Sequence, residues 1–371
     1  MSRITRLILS DFRNYAALDL SVEAGLTAFT GENGAGKTNL LEAVSLLAPG
    51  RGLRRAEFHE IARAAGAGRW AVSIEIESAY GDTQLGTGLD AETQSRLCRI
   101  NREPVPGPGA FSDYLRLVWI TPELDGMFRG PAGGRRRFLD RLVLALDPAH
   151  AGRASAFERA LRNRNRLLED QVEDSAWLAA AEREAAELGV AVAAARRETV
   201  LRLSELIARR RDSMAPFPHA ALALEGDIEA RLAIEPASAC EDWYRNSLRQ
   251  NRARDRAAGR ALAGPNTSDL AVRHGPKDMP AAQSSTGEQK ALLVGLILAQ
   301  AMLIEEMLGI KPVLLLDEIA AHLDINRRQA LYQLLADIGC QAWMTGTDRS
   351  LFEGKAGGVI RTVNGGVVSR G

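Results

Sequence analysis

Hydrophobic and polar positions follow two different rhythms along this chain. Up to residue 120 the spacing is that of strands. Arg6-Leu7-Ile8-Leu9 and Ala17-Leu18-Asp19-Leu20 flank the polar turn Asp11–Tyr15, and Leu26–Thr30 is a short apolar run. Trp70–Ile76 alternates with period two, followed by strand segments at Arg96–Asn101 and Leu117–Ile120. After Pro122 the period lengthens to three and four, which predicts helices over 134–146, 153–168 and 175–211, the last closed by Ala215-Pro216-Phe217-Pro218. In that helix Trp177, Leu178, Ala181, Ala185, Leu188, Val192 and Ala195 form one apolar stripe. At ~1.5 Å per residue it would be about 55 Å long, and with its predecessor it predicts a helical hairpin. No heptad run is long enough for an extended coiled-coil arm. Toward the C-terminus come a long apolar helix from Ala291 and a run of four aliphatics, Val313–Leu316, which reads as a central parallel strand. The expected organisation is an α/β core split by a stubby helical lobe: 1–123, then the lobe at 124–262, then 263–371.

Chemistry enters at the ends of these elements. Gly31-Glu32-Asn33-Gly34-Ala35-Gly36-Lys37-Thr38 fits G-x-x-x-x-G-K-[ST] without a mismatch, between the strand Leu26–Thr30 and a helix predicted over Asn39–Leu47. Glycines let such a loop turn tightly and aim N–H groups at one anion, and the helix start adds partial positive charge. Lys37 would reach the β and γ phosphates of a nucleoside triphosphate, with Thr38 on Mg²⁺. The run Val313–Leu316 ends in Asp317 and Glu318, placed for Mg²⁺ and for the attacking water respectively, where open α/β sheets bind ligands. A third element, Ser284–Lys290, starts the long apolar helix; by spacing alone it is an ordinary capping box from Ser285 to Glu288. Between Lys37 and Asp317 lies far more chain than a nucleotide core needs, so something is inserted.

Composition narrows the class only slightly. The chain has 371 residues and zero formal net charge, so no bulk positive charge advertises nucleic acid. Five lysines stand against 42 arginines, which reads as coding bias. Cys98, Cys240 and Cys340 show no paired spacing and fit a reducing compartment. No signal peptide pattern is seen, and the apolar segment Ala291–Leu303 reads as too short to span a bilayer, so no membrane role is expected. Arginines do cluster locally: ten lie between Arg129 and Arg166, and six more between Arg245 and Arg260. Such clusters could follow a phosphate backbone or form a solvated helix face.

The order of motifs is similar to the ABC ATPase superfamily, in which Ser285-Thr286-Gly287 would be the signature segment. More specifically, the chain resembles the RecF family of recombination-mediator ATPases, in the SMC-like branch. The carriers are Leu9–Tyr15, the phosphate loop, Pro49–Arg54, Ile120–Glu123, Arg135-Arg136-Arg137-Phe138-Leu139-Asp140, Gly264-Pro265, Ser285–Gln289 and Leu316–Glu318. The resemblance implies an α/β, ABC-type P-loop ATPase core with an inserted helical lobe, in a cytoplasmic protein. It implies ATP and Mg²⁺ as cofactors and an ATP-dependent homodimer that holds gapped duplex or single-strand/double-strand junction DNA. RecO and RecR would be partners in loading RecA, with weak, slow ATP hydrolysis timing dimer release. Carried over by position, Lys37 and Glu318 are catalytic, and Thr38 and Asp317 hold the metal. Gly31 to Thr38, Arg13, Ser285, Gly287 and Asp324 contact nucleotide, the signature and Asp324 acting across the dimer. Two departures stand out: Asn266-Thr267 replaces the family's usual His-Arg, and Thr347 occupies the switch-histidine position. No glutamine marks the loop near Thr121-Pro122-Glu123. Alternatives are an ATP-switched DNA scaffold of another SMC-like repair family, and a transporter ATPase subunit, which would need the missing glutamine and histidine.

Overall fold

The computed structural model describes all residues except 1, 24, 79, 171–174, 353–357 and 371. The chain forms two compact units, one of residues 1–125, 209–219 and 284–371, the other of 126–208 and 220–283. The expected boundaries were 123/124 and 262/263. The first change of unit falls at Asp125/Gly126. The last falls at Gln283/Ser284, because a strand after residue 262 pairs inside the second unit.

The chain opens with β1 (Arg3–Phe12), β2 (Tyr15–Ser21), β3 (Leu26–Thr30), α1 (Lys37–Ser45) and α2 (Phe58–Ile61). Then come β4 (Trp70–Ser78), β5 (Gly81–Leu89), β6 (Arg96–Ile100), β7 (Glu103–Pro104) and β8 (Leu117–Ile120). The second unit contributes α3 (Ala132–Leu146), α4 (His150–Glu169), α5 (Ser175–Arg210, ending in the first unit), β9 (Ala220–Glu225) and α6 (Asp227–Arg231). It continues with α7 (Ala237–Gln250), α8 (Arg252–Ala258), β10 (Asp269–His274) and β11 (Met279–Pro280). The first unit resumes with α9 (Thr286–Leu308), β12 (Val313–Leu316), α10 (Ile325–Ile338), β13 (Ala342–Gly346), β14 (Val359–Asn364) and β15 (Val367–Arg370).

In the first unit, an antiparallel sheet has the order β2-β1-β4-β5-β6-β7. A second sheet, β15-β14-β3-β13-β12-β8, is parallel except for β15. Its central strands β3, β12 and β13 are buried along their whole length, as expected for a parallel sheet covered on both faces. One continuous core joins Ile4, Leu7 and Trp70 of the first sheet to Phe29, Leu315 and Trp343 of the second, with Leu40, Leu41 and Val44 of α1 among them. The phosphate-loop helix is therefore core on several sides. Truncating any of these large side chains would cost roughly 2–5 kcal/mol.

In the second unit, Phe157 and Leu161 of α4 pack with Ala185 and Val190 of α5 and Tyr244 and Leu248 of α7. Most of the expected stripe on α5 is buried, but its first member, Trp177, is 66% exposed. The lobe also carries the sheet β11-β10-β9, which the sequence reading did not anticipate. α9 corrects another expectation. It is 23 residues long and apolar enough to cross a membrane, yet its side chains from Gln289 to Ala301 are buried in the first unit.

Candidate functional site

β3 runs between β13 and β14 and delivers the chain to Gly31 at the carboxyl end of the parallel sheet. Gly31 has φ +151°, and a Cβ there would lie 2.2 Å from the Val363 carbonyl oxygen. Gly36 has φ +111°, and a Cβ there would lie 2.5 Å from the Asn14 amide. Only glycine fits either position. The β1–β2 turn braces the loop from outside: Asn14 Nδ2 donates to the Ala35 carbonyl (3.0 Å) and the Tyr15 hydroxyl to the Gly36 carbonyl (3.0 Å). Lys37 Nζ lies back across the loop, donating to the carbonyls of Gly31 (2.7 Å) and Glu32 (2.8 Å). Burial lowers its pKa, and the carboxylates of Glu318 and Asp317 partly oppose that. An anion in the loop would restore the balance in favour of the ammonium.

β12 carries Asp317 to the same place. Thr38 Oγ1 donates to Asp317 Oδ1 at 2.9 Å, across 279 positions of sequence. Thr345, at the end of the neighbouring β13, also donates its hydroxyl to Asp317 Oδ1 (2.6 Å) and accepts from the Glu318 backbone N–H (2.9 Å). Glu318 stands half-buried with φ +54°, a conformation that costs a non-glycine residue energy and occurs at functional sites. Thr38 and Asp317 offer hard oxygen donors, and the described residues hold no cluster of three or more His, Cys, Asp or Glu. That set suits a small divalent cation that takes the rest of its shell from phosphate and water, as Mg²⁺ does.

Two participants escaped the sequence reading. Thr345 is one; a hydroxyl within the buried strand Ala-Trp-Met-Thr-Gly, beside the carboxylate strand, was its available signal. Glu42, one turn beyond Thr38 and 1% exposed, is the other. Its carboxylate receives Arg13 (2.5 Å) and Arg54 (2.8 Å), while Arg54 also bonds Asn39 (2.6 Å) and Asn39 bonds Asn14 (2.8 Å). Arg13, expected to contact nucleotide, has these partners within the chain. Its guanidinium is spent on Glu42 and on the Glu60 carbonyl, anchoring α1 to the β1–β2 turn.

Among the described residues, Ser285 and Asp324 bond within their own helix starts. Ser285 is exposed and caps α9, exchanging hydrogen bonds with Glu288 (3.1–3.3 Å), so within the chain it makes the plain capping box. Gly287 has open space around it, with nothing within 4 Å of a Cβ. Asp324 is exposed and caps α10 through the Arg327 N–H (2.9 Å). Among the described residues neither Ser285 nor Asp324 bonds to the loop. Thr347, at the expected switch position, is exposed. In the departure from the family pattern, Asn266 bonds the Ala261 carbonyl (2.9 Å) and Thr267 the Gly264 carbonyl (2.8 Å), both stabilising a local turn.

Part of the arginine clusters of the second unit is paired within the fold. Arg135 forms a bidentate pair with Asp269 (2.7 Å each), and Arg136 bonds the Ser268 carbonyl (2.7 Å). Arg196 pairs with Asp140 (2.7 Å), which also meets His150 (2.9 Å). Arg164 is fully buried against Asp255 (2.8 Å) and Glu182 (3.4 Å). Arg129, Arg137, Arg159, Arg162, Arg166, Arg245, Arg249, Arg254, Arg256 and Arg260 are exposed.

The family model for the RecF/RecN/SMC N-terminal domain matches residues 3–364. A protein of Mesorhizobium japonicum described as DNA replication and repair protein RecF is 51% identical over 358 residues, covering 96% of this chain and 94% of its own. One of the same description from Rhizobium rhizogenes is 52% identical over 368 residues, with 98% of each chain covered. Among solved structures, that of the recombination mediator protein RecF-ATPrS in the RecFOR pathway superposes with a TM-score of 0.87 over 100% of this chain and 98% of that one, at 22% identity. The SMC head bound to the winged-helix domain of ScpA gives 0.57 over 99% and 96%, at 14% identity. These structural likenesses are likenesses of fold, and the fold is the α/β ABC-type ATPase. Model and relatives together place the sequence: the chain belongs to the RecF family.

Proposed function

We propose that this protein binds ATP with Mg²⁺ in the loop Gly31–Thr38 and, in that state, pairs with a second copy to hold DNA during replication and recombinational repair. The observation that carries the reading is the junction of Thr38, Asp317 and Thr345, where two motifs from opposite ends of the chain share one hydrogen-bonded point. Mg²⁺ would offset phosphate charge between Thr38 and Asp317. Lys37 would leave the carbonyls of Gly31 and Glu32 for the β and γ phosphates, and the loop N–H groups would donate to phosphate oxygens. Glu318, fixed through Thr345, orients the attacking water as catalytic base.

The second copy enters through the α9 start. Ser285 is exposed and the half-buried Gly287 has nothing within 4 Å of where a Cβ would stand, so a partner's γ-phosphate has room to approach. Asp324 follows across the same interface. Hydrolysis removes the bridging charge and releases the dimer, and the ATPase activity, weak, slow and DNA-dependent, times that release. The relatives' description as DNA replication and repair proteins supports the DNA role. By extension the protein is cytoplasmic, prefers gapped duplex or single-strand/double-strand junctions, and works with RecO and RecR in RecA loading. The exposed arginines of the second unit are the candidates for backbone contact, which makes binding salt-dependent.

Light scattering of Glu318→Gln with and without ATP, then with gapped duplex, tests the reading. An ATP-dependent dimer with tightened DNA binding is expected, and Ser285→Arg should bind ATP yet remain monomeric. A monomer under all conditions, or normal dimers of Ser285→Arg, would remove the trans-capping part.

A further inference from the structure

The outer face of the antiparallel sheet in the first unit carries a trough of about 560 Å³ that the nucleotide chemistry does not use. Strand register builds it. Ser10, Ala71, Gly88 and Leu97 form one row across β1, β4, β5 and β6, and Ile8, Ser73, Gly86 and Arg99 form the next. Trp70, Val72 and Leu89 fill the opposite, buried face. The middle of both rows is small, so the floor is backbone and Ala71, and the half-exposed Leu97 makes one wall.

The two glycines differ in what they mean. At Gly88 a Cβ would lie 2.6 Å from the Trp70 carbonyl oxygen, so the fold itself excludes a side chain. At Gly86 the nearest atom is 3.9 Å away and φ is not positive, so the backbone there has room for a side chain. A glycine that weakens a strand without steric need keeps space open for something else. Arg69, Arg99 and Arg102 line the trough, all exposed, and no Asp or Glu lines it. Among the described residues none of these three is ion-paired. Exposed aromatic rings, the usual platform for bases, are missing from the lining.

We propose that this trough docks a short acidic peptide segment of a partner protein, its one large apolar side chain seated over Gly86 and Gly88 and its carboxylates on Arg69, Arg99 and Arg102. The apolar side chain supplies burial, and the arginines supply charge-assisted hydrogen bonds.

The test uses full-length protein and fluorescein-labelled Asp-Glu-Phe-Asp-Glu, its Ala counterpart and a twelve-residue oligothymidine, read by anisotropy. The Phe peptide should bind about tenfold more tightly than the Ala peptide. Gly86→Trp, which fills the trough, should erase that preference while leaving ATP binding unchanged. Leu97→Ser and Arg99→Glu alter only exposed side chains and should weaken the Phe peptide about fivefold or more, should Gly86→Trp fold poorly. Equal affinity for the two peptides, or a preference surviving all three substitutions, would overturn the proposal. Oligothymidine that displaces the peptide and is itself lost in Gly86→Trp would overturn it too, marking a nucleic-acid face.

Discussion

The phosphate-loop cluster of the first unit and the arginine-rich helices of the second are both dense in charge, but they use it in opposite ways. In the first, backbone geometry holds the polar groups with bonding capacity to spare. Lys37 rests on carbonyls that an anion can replace, and Asp317 gathers two hydroxyls on one oxygen. In the second, guanidinium and carboxylate satisfy each other. Arg164, Glu182 and Asp255 form a buried network that half-buried Arg252 joins, and Arg196 and His150 meet half-buried Asp140 in another. Charge aimed at a ligand is held by backbone, whereas charge used for folding is held by its counter-charge.

Substitutions that separate stability from ligand binding would sharpen or break this contrast. The largest effect is expected at Arg164→Ala, which takes the arginine partner from buried Asp255 and leaves Glu182 with Arg252 alone, and should cost ~3–5 kcal/mol. Denaturant unfolding would show it, with ATP affinity of the folded fraction unaltered. Lys37→Met reverses the pattern: ATP affinity should fall at least about 100-fold, roughly 2.7 kcal/mol, with little change in the unfolding midpoint. A large loss of stability there would mean the lysine is a structural tie after all.

Asp140 comes next. Burial would raise its pKa, but hydrogen bonds and charge from His150 and Arg196 outweigh that and hold it at about 2. Its folded value is depressed, so the stability it contributes is present above pH ~4 and is lost as pH falls toward ~2. Asp140→Asn should cost on the order of 2 kcal/mol at neutral pH and flatten that acid limb in pH-dependent melts. The smallest effect belongs to Thr345→Val, which removes one hydroxyl from Asp317 and from the Glu318 N–H. Turnover should drop about tenfold while ATP binding changes little, as steady-state hydrolysis would show.

Legibility in the sequence follows the same divide. The loop, Asp317 and Glu318 could be read because phosphate binding needs particular residues at fixed local spacing, and β3 and β12 are unbroken apolar runs. Thr345 and Glu42 were hidden, since their roles arise from β13 lying beside β12 and from α1 meeting the β1–β2 turn, contacts between distant segments. β5 was missed because Gly86 and Gly88 hide its alternation, and β9 and β10 because their pairing joins residues some fifty positions apart. The arginine clusters were legible as clusters only. Composition does not say that Asp269 or Glu182 waits across the fold.

The central claim is that Thr38 and Asp317 form one metal-assisted nucleotide site. Calorimetric titration of ATP into the wild type and Thr38→Val, with and without Mg²⁺, tests it most directly. The account predicts that Mg²⁺ tightens ATP binding by the wild type and has little effect on Thr38→Val. Equal Mg²⁺ dependence in both proteins, or no ATP binding by the wild type, would contradict it.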